Sequence, residues 1–185
     1  GDADIGFMGS EASIYVYAEG SADYAVNFAQ LTQRAGNFLV AREGDPDFEW
    51  TDLKGKSVLG GRAGGMPQMV FEYILKKNGI DPEKDLDIDQ SIDFGLTAAA
   101  FMEGDADYTV EFEPFATSIE LEGEGAVVAS LGVDSGYVPY TAYSAKKSFI
   151  EKNQDVIKGC VHALQKCMDY VQSHTTERHA AVIES

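Results

Sequence analysis

Alternating strands and helices along the 185-residue chain predict an α/β fold with mainly parallel sheets, divided into two lobes. Three observations carry that expectation. Short apolar runs alternate with segments of helical period. The loops between them are short, as crossover units require. The turn formers Gly44-Asp45-Pro46-Asp47 mark a boundary between two such series.

Residues 4–8 form a first apolar run, closed by Gly9-Ser10, and residues 11–19 follow with a helical pattern. Residues 26–31 and 37–41 are the next strands, the second carrying Phe38-Leu39-Val40-Ala41. After the boundary, residues 57–59 make a strand that runs into Gly60-Gly61-Arg62-Ala63-Gly64-Gly65. Met66, Met69, Val70, Tyr73 and Ile74 then recur at helical spacing, and Asn78-Gly79 supplies a stop. Strands are expected at 86–92, 106–112 and 126–131, with helices at 95–103 and 115–122. Residues 137–144 are extended, and from Ser148 the stripe Ile157, Val161, Leu164, Met168 and Val171 predicts one long amphipathic helix. Residues 46–134 thus read as a lobe inserted into another made of 1–45 and 135–185, with crossings near 41–45 and 133–140.

Composition narrows the function. The net charge is −17, with 31 acidic residues against 14 basic, so no basic stripe is available to displace phosphate counterions or to dock on an anionic bilayer. Cys160 and Cys167 are seven residues apart on one helix, about 10 Å at 1.5 Å per residue, too far to form a disulfide. His162, His174 and His179 all fall in the C-terminal helical region, and none pairs with cysteine at structural-zinc spacing. No Gly-x-Ser-x-Gly elbow occurs. The expectation is a protein that is not an enzyme, uses no cofactor and does not bind nucleic acid.

The order of motifs resembles that of the nitrate/sulfonate/taurine and thiamine-precursor solute-binding family of ABC importers. Gly1-Asp2-Ala3-Asp4-Ile5-Gly6 and its small-residue turn are similar to the family's first binding loop, and Phe38-Leu39-Val40-Ala41-Arg42 to its hinge strand. Asp52-Leu53-Lys54-Gly55-Lys56 resembles the entry into the second lobe. Ala98-Ala99-Ala100-Phe101-Met102-Glu103-Gly104-Asp105-Ala106-Asp107 and Glu113-Pro114 resemble two further steps toward the cleft. The resemblance implies a type II periplasmic-binding-protein (venus flytrap) fold that closes on a small molecule between its lobes. It also implies a monomer outside the cytoplasm, periplasmic or anchored as a lipoprotein, that passes its ligand to a membrane permease. Against that family, one strand-helix-strand unit before Gly1 and part of the last helical region are expected to be missing, which makes the chain a fragment.

Ligands of open α/β sheets settle beyond the carboxyl ends of strands, and three loops qualify. In Met8-Gly9-Ser10-Glu11, free amides and the Ser10 hydroxyl can meet an oxygen, or Ser10 can cap its own helix. In Arg62-Ala63-Gly64-Gly65-Met66, the glycines admit close approach and the helix from Met66 points its positive end outward. Arg62 either clamps an anionic group or pairs with a surface acid. No Lys-Ser/Thr follows the glycines, so this is not a phosphate loop. In Glu111-Phe112-Glu113-Pro114-Phe115, Glu113 either accepts from a ligand N–H or is a solvated surface charge. Tyr137, Tyr140 and Tyr143, with Tyr15, Tyr17 and Tyr108, offer ring walls, and Gln30 and Thr32 are further polar candidates. The ligand-binding set expected from these loops is Gly9, Ser10, Gln30, Arg62, Gly64, Gly65, Met66, Glu113 and Tyr137.

Arg62 is the one base in these loops, which favours a neutral or cationic heteroaromatic, such as the pyrimidine precursor of thiamine, over nitrate, taurine or a sulfonate. A ligand-sensing domain of the same fold is the alternative role. A pyrimidine-synthesis enzyme of the thiamine pathway is more distant, because its cysteine-rich iron stretch has no counterpart here.

Overall fold

A computed structural model describes residues 3–93 and 95–183. Gly1 and Asp2 of the opening motif, Phe94, and the terminal residues 184–185 lie outside the described residues. In chain order the elements are β1 (Ile5–Gly9), α1 (Glu11–Ala18), β2 (Ala25–Thr32), β3 (Asn37–Ala41), a 3-10 turn (Trp50–Leu53), β4 (Ser57–Leu59) and α2 (Met66–Lys77). There follow β5 (Asp87–Asp89), α3 (Thr97–Glu103), β6 (Tyr108–Phe112), α4 (Phe115–Glu122), β7 (Ala126–Ser130) and α5 (Leu131–Asp134). The chain continues through β8 (Thr141–Lys146), α6 (Lys147–Lys152), α7 (Gln154–Ser173) and α8 (Thr176–Ile183).

Two compact units emerge, one of residues 1–8, 12–29 and 143–185, the other of 9–11 and 30–142. This division differs from the expected one at 45 and 135, and the reason is β3. It is hydrogen-bonded on both sides, antiparallel to β6 and to β7, so Asn37–Ala41 belong to the second unit's sheet rather than to the flanking lobe.

The second unit has a five-stranded sheet in the order β5-β4-β6-β3-β7. β4 runs parallel to β5 and β6, and β3 is the one reversed strand. Side chains on one face, among them Leu39, Val58 and Val110, pack with Val70, Phe71, Ile74 and Leu75 of α2. On the opposite face Val40 and Leu59 pack with Phe101 of α3 and with Ala116 and Ile119 of α4. A bulge in β7 keeps both faces filled. Leu39 pairs with Ala129 but Val40 with Val127, so Val128 is an extra residue. Val128 and Ala129 therefore join the first core and Val127 the second.

The helix α2 has clear physical limits. Gly65 is its N-cap and Pro67 stands in the first turn, where a missing N–H is harmless. Lys76 and Lys77 lie at the negative end of its dipole. Asn78 closes it, donating from Nδ2 to the Ile74 carbonyl at 2.8 Å, before Gly79 turns the chain at φ +72°. At the other end of the unit, Asp107 accepts from both the amide and the hydroxyl of Ser57 at 2.9 Å, tying β6 to β4. These bonds, the amide bond first, hold the Asp107 carboxyl below its ordinary range.

Most of the three-stranded sheet β1-β8-β2 falls in the first unit. Of the expected extended run 137–144, residues 141–144 fall in β8 and residues 137–140 precede it outside any strand. The predicted long helix is three helices instead. Asn153 interrupts it, where its backbone and side-chain N–H groups both donate to the Phe149 carbonyl, and a second break falls at His174. Asp23 holds the start of α6, accepting from the amide (2.8 Å) and hydroxyl (2.6 Å) of Ser148. Of the α7 side chains only Ile157 is buried.

Replacing Phe71, fully buried against Trp50, with alanine is expected to lower stability by about 3–5 kcal/mol through lost transfer energy and a residual cavity. The half-exposed Tyr73, two residues on, is expected to change stability by less than about 1 kcal/mol as alanine. Urea unfolding followed through Trp50, the single tryptophan, reads both; equal effects would contradict this packing.

Candidate ligand site

All nine sequence-predicted ligand residues belong to the second unit. β4 is the point where the strand order reverses, since its chain continues to β5 on one side and the sheet to β6 on the other. The crevice beyond such a reversal is where open α/β sheets bind. The loop Gly60–Gly65 leaves β4 there and delivers the amino end of α2.

The structure brings Gly9, Ser10 and Met66 together through a residue not in the predicted set. Glu11 Oε1 accepts the Met66 amide at 3.0 Å, so its carboxylate lies on the positive end of α2. Gly9 makes this possible: a Cβ there would stand 2.1 Å from Glu11 Oε2. Ser10 anchors the loop from the other side. Its amide donates to the Tyr140 carbonyl at 3.2 Å and its hydroxyl to the Pro139 carbonyl. In the β4–α2 loop, Gly65 donates to the Arg62 carbonyl at 3.0 Å and Gly64 sits at φ +71°, a conformation that favours glycine. Arg62 itself is exposed.

Three buried polar atoms around this end of α2 have no hydrogen-bond partner among the described residues: Glu11 Oε2, Gln68 Oε1 and the Tyr140 hydroxyl. Gln68, in the first turn of α2, is 2% exposed and spends its amide group on Glu72. Tyr140 is 6% exposed. Burial, and secondarily the negative charge of Glu11, pushes its hydroxyl above the ordinary phenol range, so it stays protonated. Buried polar groups are nearly always paired, which makes three unpaired atoms at one helix end notable.

The remaining predicted residues lie apart from this cluster or serve other bonds. Glu113 Oε2 accepts the Thr117 amide at 3.1 Å, capping α4, and is exposed. Gln30 donates to the Thr32 carbonyl at 3.1 Å. Tyr137 is 76% exposed, with the Arg34 guanidinium 4.5 Å over its ring. Together with Gln33, Val138 and Pro139 they border a shallow cavity of about 390 Å³. The buried acid of the third loop is Glu111, 3% exposed, which accepts from Thr109 at 2.8 Å and from Thr97; burial pushes its carboxyl up against those bonds.

Glu11 and Gln68 were not legible as site residues. Each reads as an ordinary first-turn residue of its own helix, and only Gly9, one small residue beside Ser10-Glu11, hints that something comes close.

The NMT1-like family matches residues 1–184. A relative in Bacillus subtilis (strain 168), named "Putative binding protein YtlA", is 50% identical over 175 residues, which is 95% of this chain and 52% of the relative. The chain thus spans about half the length of that protein. Among solved structures, the periplasmic aliphatic sulphonate binding protein SsuA from Escherichia coli superposes with a TM-score of 0.79 at 21% identity, over 99% of this chain and 60% of its own. The periplasmic nitrate-binding protein NrtA from Synechocystis PCC 6803 gives 0.68 at 15% identity, over 90% and 46%. At such identities the likeness shows the fold, that of periplasmic binding proteins.

Gly9→Ala is expected to push the Glu11 carboxylate off the Met66 amide, speeding hydrogen exchange at that amide and lowering stability by about 1 kcal/mol. Exchange at Met66 as slow as in the parent chain would contradict the contact. Glu111 gives a pH signature. Its folded-state pKa is raised, so its contribution is fully present at pH below the ordinary carboxylate range and is lost as pH rises through the raised value. Glu111→Gln cannot ionise, so its stability relative to the parent is expected to improve from pH 4 to pH 8, read from urea midpoints. A pH-independent difference would contradict the burial of this acid.

Proposed function

The chain belongs to the NMT1-like family, and from that membership we propose that it is part of the solute-binding component of an ABC importer, capturing a small organic molecule outside the cytoplasm for a membrane permease. The observation that carries the reading is the meeting of the Gly9–Glu11 loop with the amino end of α2 at the strand-order reversal. That is where a sheet of this topology presents backbone and side-chain groups to a ligand. Support comes from a relative named as a binding protein and from the shared fold of SsuA and NrtA. No helix among the described residues is long and apolar enough to cross a membrane.

Within this reading a neutral or cationic heteroaromatic, the pyrimidine precursor of thiamine among them, is favoured over nitrate, taurine or a sulfonate. Arg62 is the one base in the three loops and is exposed, whereas a carboxylate already lies on the helix end that an anion would use. Such a ligand acts by stabilising whichever conformation it binds best, in proportion to that difference in affinity.

Thermal unfolding of the full-length protein against thiamine, its pyrimidine precursor, riboflavin, taurine, alkyl sulfonates and nitrate tests the proposal. A true ligand at about 100 times its Kd adds roughly 2.7 kcal/mol, a shift of several degrees. One compound or one chemical class is expected to shift the transition. No shift with any of them would overturn the importer reading for this class of solutes.

A further inference from the structure

We infer that Thr32 is a positioning residue for the candidate site: its bonds to residues 140 and 141 aim the carbonyls that hold Ser10, and through Ser10 they keep the Glu11 carboxylate on the amino end of α2. The inference rests on the solute-binding reading above and adds to it the residue that fixes the first loop from behind.

Residues 9–11 are the one piece of the chain before residue 30 that belongs to the second unit. Three residues bring no core of their own, so their place is set by what they bond to. Glu11 reaches the Met66 amide at 3.0 Å. Ser10 donates from its amide to the Tyr140 carbonyl at 3.2 Å and from its hydroxyl to the Pro139 carbonyl. The Tyr140 ring lies in the same core as Leu39 and Phe71, but a ring anchor does not set which way the neighbouring carbonyls point.

Thr32 sets that direction. Its carbonyl accepts the Tyr140 amide at 3.3 Å, its Oγ1 accepts the Thr141 amide at 3.0 Å, and its hydroxyl pairs with that of Thr141. In a trans peptide the N–H and the C=O point to opposite sides. The two peptides that join residues 139, 140 and 141 therefore give both N–H groups to Thr32 and turn both C=O groups toward Ser10. A residue's backbone supplies one carbonyl, so the second acceptor has to be a side chain, and here the residue type matters. Hydrogen bonds on both sides of one peptide also strengthen each other.

The neighbouring contacts fasten the same segment along its length. The Val138 amide donates to the Gln33 carbonyl at 2.9 Å, and the Arg34 guanidinium donates to the Gly132 carbonyl at 2.8 Å while lying over the Tyr137 ring. Gly132 comes so near that a Cβ there would stand 2.2 Å from the Ala35 carbonyl oxygen. The sequence offers Thr32 as a polar ligand candidate; its hydroxyl is instead engaged twice inside the unit.

Native-state amide hydrogen exchange of the full-length protein and its T32V, T32S and S10A variants provides the test. T32V keeps the shape and the carbonyl but removes the Oγ1 acceptor. It is expected to speed exchange at Thr141, Ser10 and Met66 by about tenfold relative to the amides of β3. The β3 amides, in a strand paired on both edges, report global stability, so the ratio stays readable if T32V is less stable throughout. T32S returns the hydroxyl and is expected to restore all three amides. S10A cuts the same link at its far end and is expected to speed Met66. In the T32V/S10A double variant the effect on Met66 is expected to match the larger single one, since both act through one link. Met66 exchange unchanged in T32V would overturn the inference, as would single effects that multiply. Equal acceleration at the β3 amides would overturn it too, by making Thr32 a residue of general stability. Repeating the thermal panel with thiamine, its pyrimidine precursor, taurine and nitrate on the parent and T32V separates this inference from the binding reading. A compound that stabilises the parent is expected to bind T32V about fivefold more weakly. If exchange follows the expected pattern and no compound shifts the parent, the positioning role stands and the solute-binding reading falls. If a compound shifts parent and T32V alike and Met66 exchange is unchanged, the reading stands and the positioning role falls.

Discussion

β3 is the constraint on which the second unit depends. Five residues, Asn37–Ala41, run against the direction of every other strand in the sheet and are paired on both edges. Leu39 and Val40 are fully buried and face opposite ways, one into each hydrophobic core. Because a strand's side chains alternate, this one strand fixes which face α2 covers and which face α3 and α4 cover. It also sets where the amino end of α2 emerges, since β4 pairs with β6 and β6 with β3. The candidate site is therefore a consequence of sheet order before it is a matter of side chains.

Local chemistry made much of this legible in the sequence. β3, β4 and α4 fall where apolar runs and turn residues place them, and α2 ends where Asn78-Gly79 says it should. The differences arise where long-range pairing or a single polar residue overrides periodicity. The stripe from Ile157 to Val171 continues smoothly in sequence, yet Asn153 and His174 break the helical run by offering the backbone side-chain partners. The assignment of residues 37–45 to the flanking lobe came from their position before a turn-rich boundary. Pairing with strands some seventy residues away is invisible to any local pattern.

The candidate site divides along the same line. The glycine-rich loop and its helix are visible because glycine and proline carry backbone meaning in isolation. Glu11 is not, since its role depends on an amide 55 residues further along the chain. Tyr140 stood out only as one aromatic among several; its burial and unpaired hydroxyl are properties of the folded chain. Glu113, beside its proline, gives one carboxylate oxygen to the Thr117 amide in the first turn of the helix that follows, a bond no local pattern announces.

The bulge at Val128 bears on how this sheet can change over evolutionary time. Substitution within β7 need only respect size, but length is a different matter. Loss of one codon there would restore an uninterrupted ladder with β3 and, by the two-residue alternation, exchange the faces of the residues on one side of it. Val127 would leave the core it shares with Phe101 and Ile119 for one already filled by α2. Insertions and deletions among homologues should accordingly gather in the loops and spare this edge strand, although it is the outermost of its sheet and ordinarily the easiest place for a chain to gain or lose a residue.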